Sequence, residues 1–163
     1  MQKKVALLGA PGVGKTSLVR RFVDSVFDDR YLTTIGVKVD KKTVSAGGRD
    51  VTLMLWDVAG AEERFTVPVS YVRGASGLLL VADGTRPDTL DEAFEILAQI
   101  AGEVGPLPYV LVLNKADLAG QWAIDDAAVA VRAATALGVR RASARTGDGV
   151  EEAFAGLAAA LVA

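Results

Sequence analysis

The stretch Gly9-Ala10-Pro11-Gly12-Val13-Gly14-Lys15-Thr16 constrains this chain more than any other. It follows a continuous apolar run, Val5-Ala6-Leu7-Leu8, which reads as a strand buried on both faces. It precedes Lys15 to Val23, where Leu18, Val19, Phe22 and Val23 share one side at helical spacing. Strand, glycine-rich turn and helix in that order open a β-α-β unit, the building block of a parallel sheet. The eight residues match G-x-x-x-x-G-K-[ST] at every fixed position. Glycines let backbone amides close around phosphate oxygens, and the helix that follows presents unpaired N–H groups and a positive dipole end. The run Gly9 to Ser17, Ala10, Pro11 and Val13 included, thus reads as a phosphate cradle. Lys15 can reach β- and γ-phosphates, and the Thr16 hydroxyl can ligate Mg²⁺. The competing reading is a glycine-rich turn with no ligand, which the strand-before, helix-after context disfavours.

The remaining pattern supports one α/β domain over residues 1–163. Asp24 to Gly36 is irregular and polar. Val37 to Val44 alternates, with Val37 and Val39 on one face and Lys38 and Asp40 on the other. Gly47-Gly48 marks a turn, and Val51 to Trp56 alternates again, so the two runs form a hairpin. Lys38, Lys41 and Lys42 give its first strand the charge of a sheet edge. Gly77 to Ala82 and Tyr109 to Leu113 read as buried strands, and Val139 to Ala142 as a short last one. Helices are predicted over Asp88 to Ala101, Asp125 to Leu137 and Gly149 to Val162. The fold class is therefore α/β: a six-stranded, mostly parallel sheet with one antiparallel edge strand and helices on both faces.

Composition removes whole classes of chemistry. The chain has no Cys and no His. Disulfides, thiolate metal sites, cysteine nucleophiles and histidine-based triads are excluded. What remains is carboxylates, hydroxyls, Lys and Arg, backbone amides, and a hard cation such as Mg²⁺. With 18 Lys and Arg against 20 Asp and Glu, no basic excess points to nucleic acid or an anionic membrane.

Ligands of such sheets bind where strands end, so the residues after each strand carry the argument. Trp56-Asp57-Val58-Ala59-Gly60 follows the hairpin. Asp57 there can hold Mg²⁺, and Gly60 can bring a backbone N–H to a γ-phosphate. Alone, D-x-x-G reads as well as a turn aspartate. Asn114-Lys115-Ala116-Asp117 follows a core strand. Asp117 can accept from the two donors on the guanine edge, a pair that adenine lacks. Asn114 can support base and loops, while the Lys115 stem lies over the base. A polar loop with Asp117 as helix cap is the alternative. Ser143-Ala144-Arg145 offers a backbone N–H to guanine O6, though that tripeptide means little by itself. Thr34 can complete Mg²⁺ coordination, or be an ordinary β-branched residue entering a strand. Phe27 and Tyr31 otherwise read as loop anchors.

In their order and spacing these motifs resemble the Ras-like small GTPases, P-loop G domains, over essentially the whole chain. Trp56 before D-x-x-G, and Tyr71-Val72-Arg73-Gly74-Ala75 after it, are closest to the Rab branch. The resemblance makes Asp24 to Gly36 switch I and Asp57 to about Val72 switch II. It implies GTP/GDP and Mg²⁺ as ligands. Thr16, Thr34 and Asp57 would hold the metal, and Lys15, Thr34 and Gly60 would serve hydrolysis. Phe27 would pack edge-on against guanine, and Tyr31 would cover the phosphates. It further implies an effector at the switches and the hairpin edge, around Ile35, Trp56 and Tyr71, together with an exchange factor and an activating protein. Core packing is the other reading of Trp56 and Tyr71.

Two departures shape the expectations. The family usually has Gln after the switch II glycine to orient the attacking water, and here that residue is Ala61. Slow intrinsic hydrolysis is expected, with Glu62, Glu63, Arg64 and Arg30 as internal substitutes or simply solvated charges. A GTP/GDP-bound interaction module with negligible hydrolysis is the alternative; a small-molecule kinase fits the guanine motif poorly. Secondly, relatives carry a prenylated Cys tail, whereas this sequence has no Cys. No direct lipid anchor and a cytoplasmic location are therefore expected.

Overall fold

The computed structural model describes residues 1–24, 37–58 and 69–163. Six strands form one sheet: β1 (Gln2–Leu8), β2 (Val37–Ala46), β3 (Arg49–Val58), β4 (Gly77–Asp83), β5 (Tyr109–Asn114) and β6 (Gly138–Arg141). Their spatial order is β2-β3-β1-β4-β5-β6. All neighbours are parallel except β2 and β3, whose hairpin runs from Val37↔Val58 to Ala46↔Arg49. The α-helices are α1 (Lys15–Asp24), α2 (Val69–Val72), α3 (Pro87–Val104), α4 (Asp126–Arg132) and α5 (Val150–Val162).

The unbroken apolar runs place β1, β4 and β5 between two apolar layers. Val5 and Leu7 of β1 join Leu79, Val81, Val110 and Val112 on the face covered by α1 and α5. Ala6 and Leu8 join Leu78, Leu80, Leu111 and Leu113 on the face covered by α3 and α4. The period of two along each strand sends alternate residues to opposite layers. On the first face, the rings of Phe22 and Phe154 stack with centroids 4.0 Å apart. β1 sits between β3 and β4, and the helices after β1 and β4 lie on opposite faces. A crevice therefore opens at the carboxyl ends of these central strands.

Local details differ from the sequence reading. Among the described side chains of β2, Val44 and Ala46 are buried, on the same face as Lys42, while Val39 is 41% exposed. Lys42 tolerates that face because its ammonium lies 4.3 Å from the Phe22 ring centroid and donates to the Phe22 carbonyl. The helix expected over Asp125 to Leu137 stops at Arg132, with Asp125 as its N-cap. Ala-rich residues beyond it would continue a helix by propensity alone, but the Leu137 N–H bonds to the Tyr109 carbonyl at 2.8 Å and starts β6. Pairing with the sheet overrides the local preference. The helix expected from Asp88 to Ala101 extends to Pro87–Val104, proline supplying the first turn. Two short elements carry no helical signal long enough to read: α2 and a 3₁₀ turn at Ala119–Gln121.

Candidate nucleotide site

Gly9 to Thr16 join the end of β1 to the start of α1, beneath the crevice. Ala10 and Val13 are buried, and Ser17 is partly buried in the first turn of α1. Lys15 is 7% exposed, and its Nζ donates to the Gly9 carbonyl at 3.0 Å. Burial pulls its ammonium below the usual lysine range, while the charge of Asp57 pushes it back up. Asp57 lies near the end of β3, paired with Leu7 of β1 and 1% exposed. The Thr16 hydroxyl donates to Asp57 Oδ2 at 2.5 Å. A hydroxyl and a carboxylate from two elements thus converge beside a buried ammonium. Hard oxygen donors of this kind suit Mg²⁺, which keeps several water or phosphate ligands of its own. Among the described residues no group of three or more carboxylates competes as a metal centre.

The second half of the site hangs on Asn114, the last residue of β5. Its Nδ2 donates to the Val13 carbonyl at 2.9 Å, and its Oδ1 accepts from the Ala144 N–H at 3.3 Å. One buried amide therefore joins the glycine loop, 101 residues before it in the chain, to the Ser143–Arg145 loop, 30 residues after it. Gly14 is required by that approach: a Cβ there would sit 2.3 Å from Asn114 Nδ2, at a φ of +97° that side chains resist. Lys115 adopts φ +70° and forms an ion pair with Asp83 at 2.8 Å. Asp117 is exposed and accepts from the Ser143 hydroxyl at 2.8 Å. Arg21 of α1 donates to the Ala144 and Arg145 carbonyls and so holds that loop from below.

The structure thus brings together Gly9 to Ser17, Asp57, Asn114, Lys115, Asp117 and Ser143 to Arg145 around one crevice. Phe27, Tyr31, Thr34 and Ile35, and Gly60 with Ala61 to Arg64, lie outside the described residues. Sequence reasoning missed Asp83, Thr85, Arg86 and Thr89. The strand-end rule itself pointed there, since Asp83-Gly84-Thr85-Arg86 closes β4. Asp83 is fully buried and accepts from Thr85, Arg86 and Lys115. Burial alone would raise its carboxyl; hydrogen bonds from Lys115, Thr85 and Arg86 outweigh that and hold it below the usual range.

Comparison with known proteins gives consistent relatives. The profile of the Ras family matches residues 4–163. Ras-related protein Rab-1C of Dictyostelium discoideum is 35% identical over 97% of this chain and 80% of its own length. Ras-related protein SEC4 of Saccharomyces cerevisiae is 36% identical over 95% of this chain and 73% of its own length. GTP-binding protein YPTM1 of Zea mays is 37% identical over 97% and 77%.

Proposed function

This chain belongs to the Ras family, on its Rab branch, as a GTP-binding, GTP-hydrolysing switch protein, and we propose that its own turnover is slow until a partner assists it. The observation that carries the reading is the Thr16–Asp57 contact at 2.5 Å beside buried Lys15. In this reading the backbone N–H groups between Gly9 and Ser17, Pro11 excepted, hold the phosphates and Lys15 supports the β and γ groups. Thr16 and Asp57, with Thr34, are the protein ligands of Mg²⁺. When bound, Mg²⁺ neutralises charge developing on the phosphate oxygens. Asp117 selects guanine through its two edge donors, Asn114 and Lys115 frame the base, and Ser143 to Arg145 offer a backbone N–H to O6. Phe27 and Tyr31 close over base and phosphates. Lys15, Thr34 and Gly60 serve the hydrolytic step.

Ala61 cannot orient a water, so chemistry rests on positioning and charge. An activating protein that inserts an arginine would add roughly 10³- to 10⁵-fold. Effectors would read the switches near Ile35, Trp56 and Tyr71 and the exposed edge of β2, and an exchange factor would reload the site. Among the described residues no helix is long and apolar enough to cross a membrane. The test is to identify the nucleotide that co-purifies and then follow one turnover of loaded GTP. Bound GDP or GTP, slow phosphate release and a faster Ala61→Gln variant are expected. Wild-type turnover equal to that of Ala61→Gln would refute slow hydrolysis through Ala61. No phosphate release in either variant, even with activators, would leave the non-hydrolysing module.

A further inference from the structure

Arg86 lies just past the end of β4 as the N-cap residue of α3, and two nitrogens of its guanidinium are engaged. Its Nε donates to Asp83 Oδ2 at 3.1 Å, and its Nη2 donates to the Pro11 carbonyl at 3.2 Å. The backbone beneath is fixed independently. Pro87 restricts the residue before it to extended conformations, and Arg86 has φ −132° and ψ 95°. The Thr89 hydroxyl, fully buried, donates to the Arg86 carbonyl at 2.7 Å and accepts from the Asp83 N–H at 2.8 Å. The guanidinium is thus presented from a braced turn, and a carboxylate occupies one side of its fork.

Pro11 has no N–H to give to a phosphate. The next donor along the chain is the Gly12 N–H, in the same peptide plane as the Pro11 carbonyl. The described chain has no cis peptide bonds, so in that plane the C=O and the N–H point opposite ways. A cation that draws the Pro11 oxygen outward therefore turns the Gly12 N–H inward. The same grip keeps a carbonyl oxygen, itself partly negative, from facing an anion.

We propose that Arg86 is a positioning residue that orients the Gly12 amide toward nucleotide phosphate by holding the Pro11 carbonyl. Asp83 Oδ2 accepts from Arg86 Nε and also pairs with Lys115 Nζ, at 2.8 Å, from the loop read as base-binding. One buried carboxylate thereby aligns the phosphate side and the base side of the site. The inference rests on the nucleotide reading above and deepens it.

The test compares wild type, Arg86→Ala and Arg86→Lys loaded with fluorescent GDP, together with the ¹⁵N-resolved amide resonance of Gly12. Arg86→Ala should release GDP about 3- to 10-fold faster, the effect of losing one solvent-exposed hydrogen bond of ordinary net strength. The Gly12 resonance should move in the same variant. Arg86→Lys, whose flexible ammonium keeps the charge but lacks the planar fork that meets Asp83 and Pro11 together, should fall between. Arg132→Ala, which breaks an exposed ion pair to Asp91, should change neither readout. Faster release with an unmoved Gly12 resonance would assign Arg86 a merely structural role and overturn the inference. Unchanged release from a well-loaded Arg86→Ala protein would overturn it too. A wild type that takes up no GDP would instead bring down the reading of the site.

Discussion

Asn114 shows how a single side chain can hold two halves of a site. Its amide satisfies the Val13 carbonyl on one side and the Ala144 N–H on the other, with 2% of its surface exposed. Asn114→Ala leaves both backbone groups buried without their partner, at a cost of about 2–4 kcal/mol. Denaturant unfolding should show that loss, and GDP affinity should fall with it. The sequence made Asn114 legible as a base-side residue, because it follows a buried strand within an N-K-x-D run. Its support of the loops was expected as well; what the sequence did not reveal is that the partner is the Val13 carbonyl, 101 positions away. Asp83 was overlooked for a related reason. A lone carboxylate at a strand end looks like a turn residue until Lys115 and Arg86 are seen to reach it from other elements.

At the scale of elements, the contact between α1 and α5 bears on the site from behind. Phe22 and Phe154 stack with 2° between their planes, both about 1% exposed. α1 starts with Lys15 and Thr16 and also carries Arg21, so a shift of α1 moves both the glycine loop and the Ser143–Arg145 loop. Phe154→Ala opens a cavity against Phe22 and should cost about 3–5 kcal/mol in chemical denaturation. Nucleotide release should quicken in the same variant. Sequence periodicity foretold α1 and α5 well, because each has one apolar stripe facing the sheet. It overran α4, where alanine favours helix in isolation while β6 needs the chain back at the sheet edge. The burial of β2 was also hidden, because its covered face carries Asp40 and Lys42 beside Val44 and Ala46. Hydrophobic alternation cannot reveal a face whose lysine lies along an aromatic ring.

For the whole molecule, the central strands were readable as strands, since runs buried on both faces leave no polar interruption. Their spatial order was not, because adjacency depends on which crossover packs where, and that is settled across the entire sheet. The overall charge state has its own signature. The Asp83 carboxyl is held below its ordinary value of 3.8, so its stabilising pairs are fully present above that pH. They are lost as pH falls through the lower folded value. Asp83→Asn should therefore destabilise the protein by about 3 kcal/mol at neutral pH, and the gap to wild type should narrow below pH 3.8. Unfolding curves at the two acidities measure it. One last consequence follows from how β3 is held, by β1 from Gln2↔Thr52 to Leu7↔Asp57 and by β2 along all of the hairpin. A strand locked on both edges can slide only in whole residues, a ratchet with teeth of about 3.3 Å. One tooth also turns each side chain to the opposite face. The Asp57–Thr16 pair therefore has no intermediate settings by sliding. The sheet either delivers it intact or replaces Asp57 with Trp56 or Val58, so the proposed Mg²⁺ site is set in discrete steps rather than continuously.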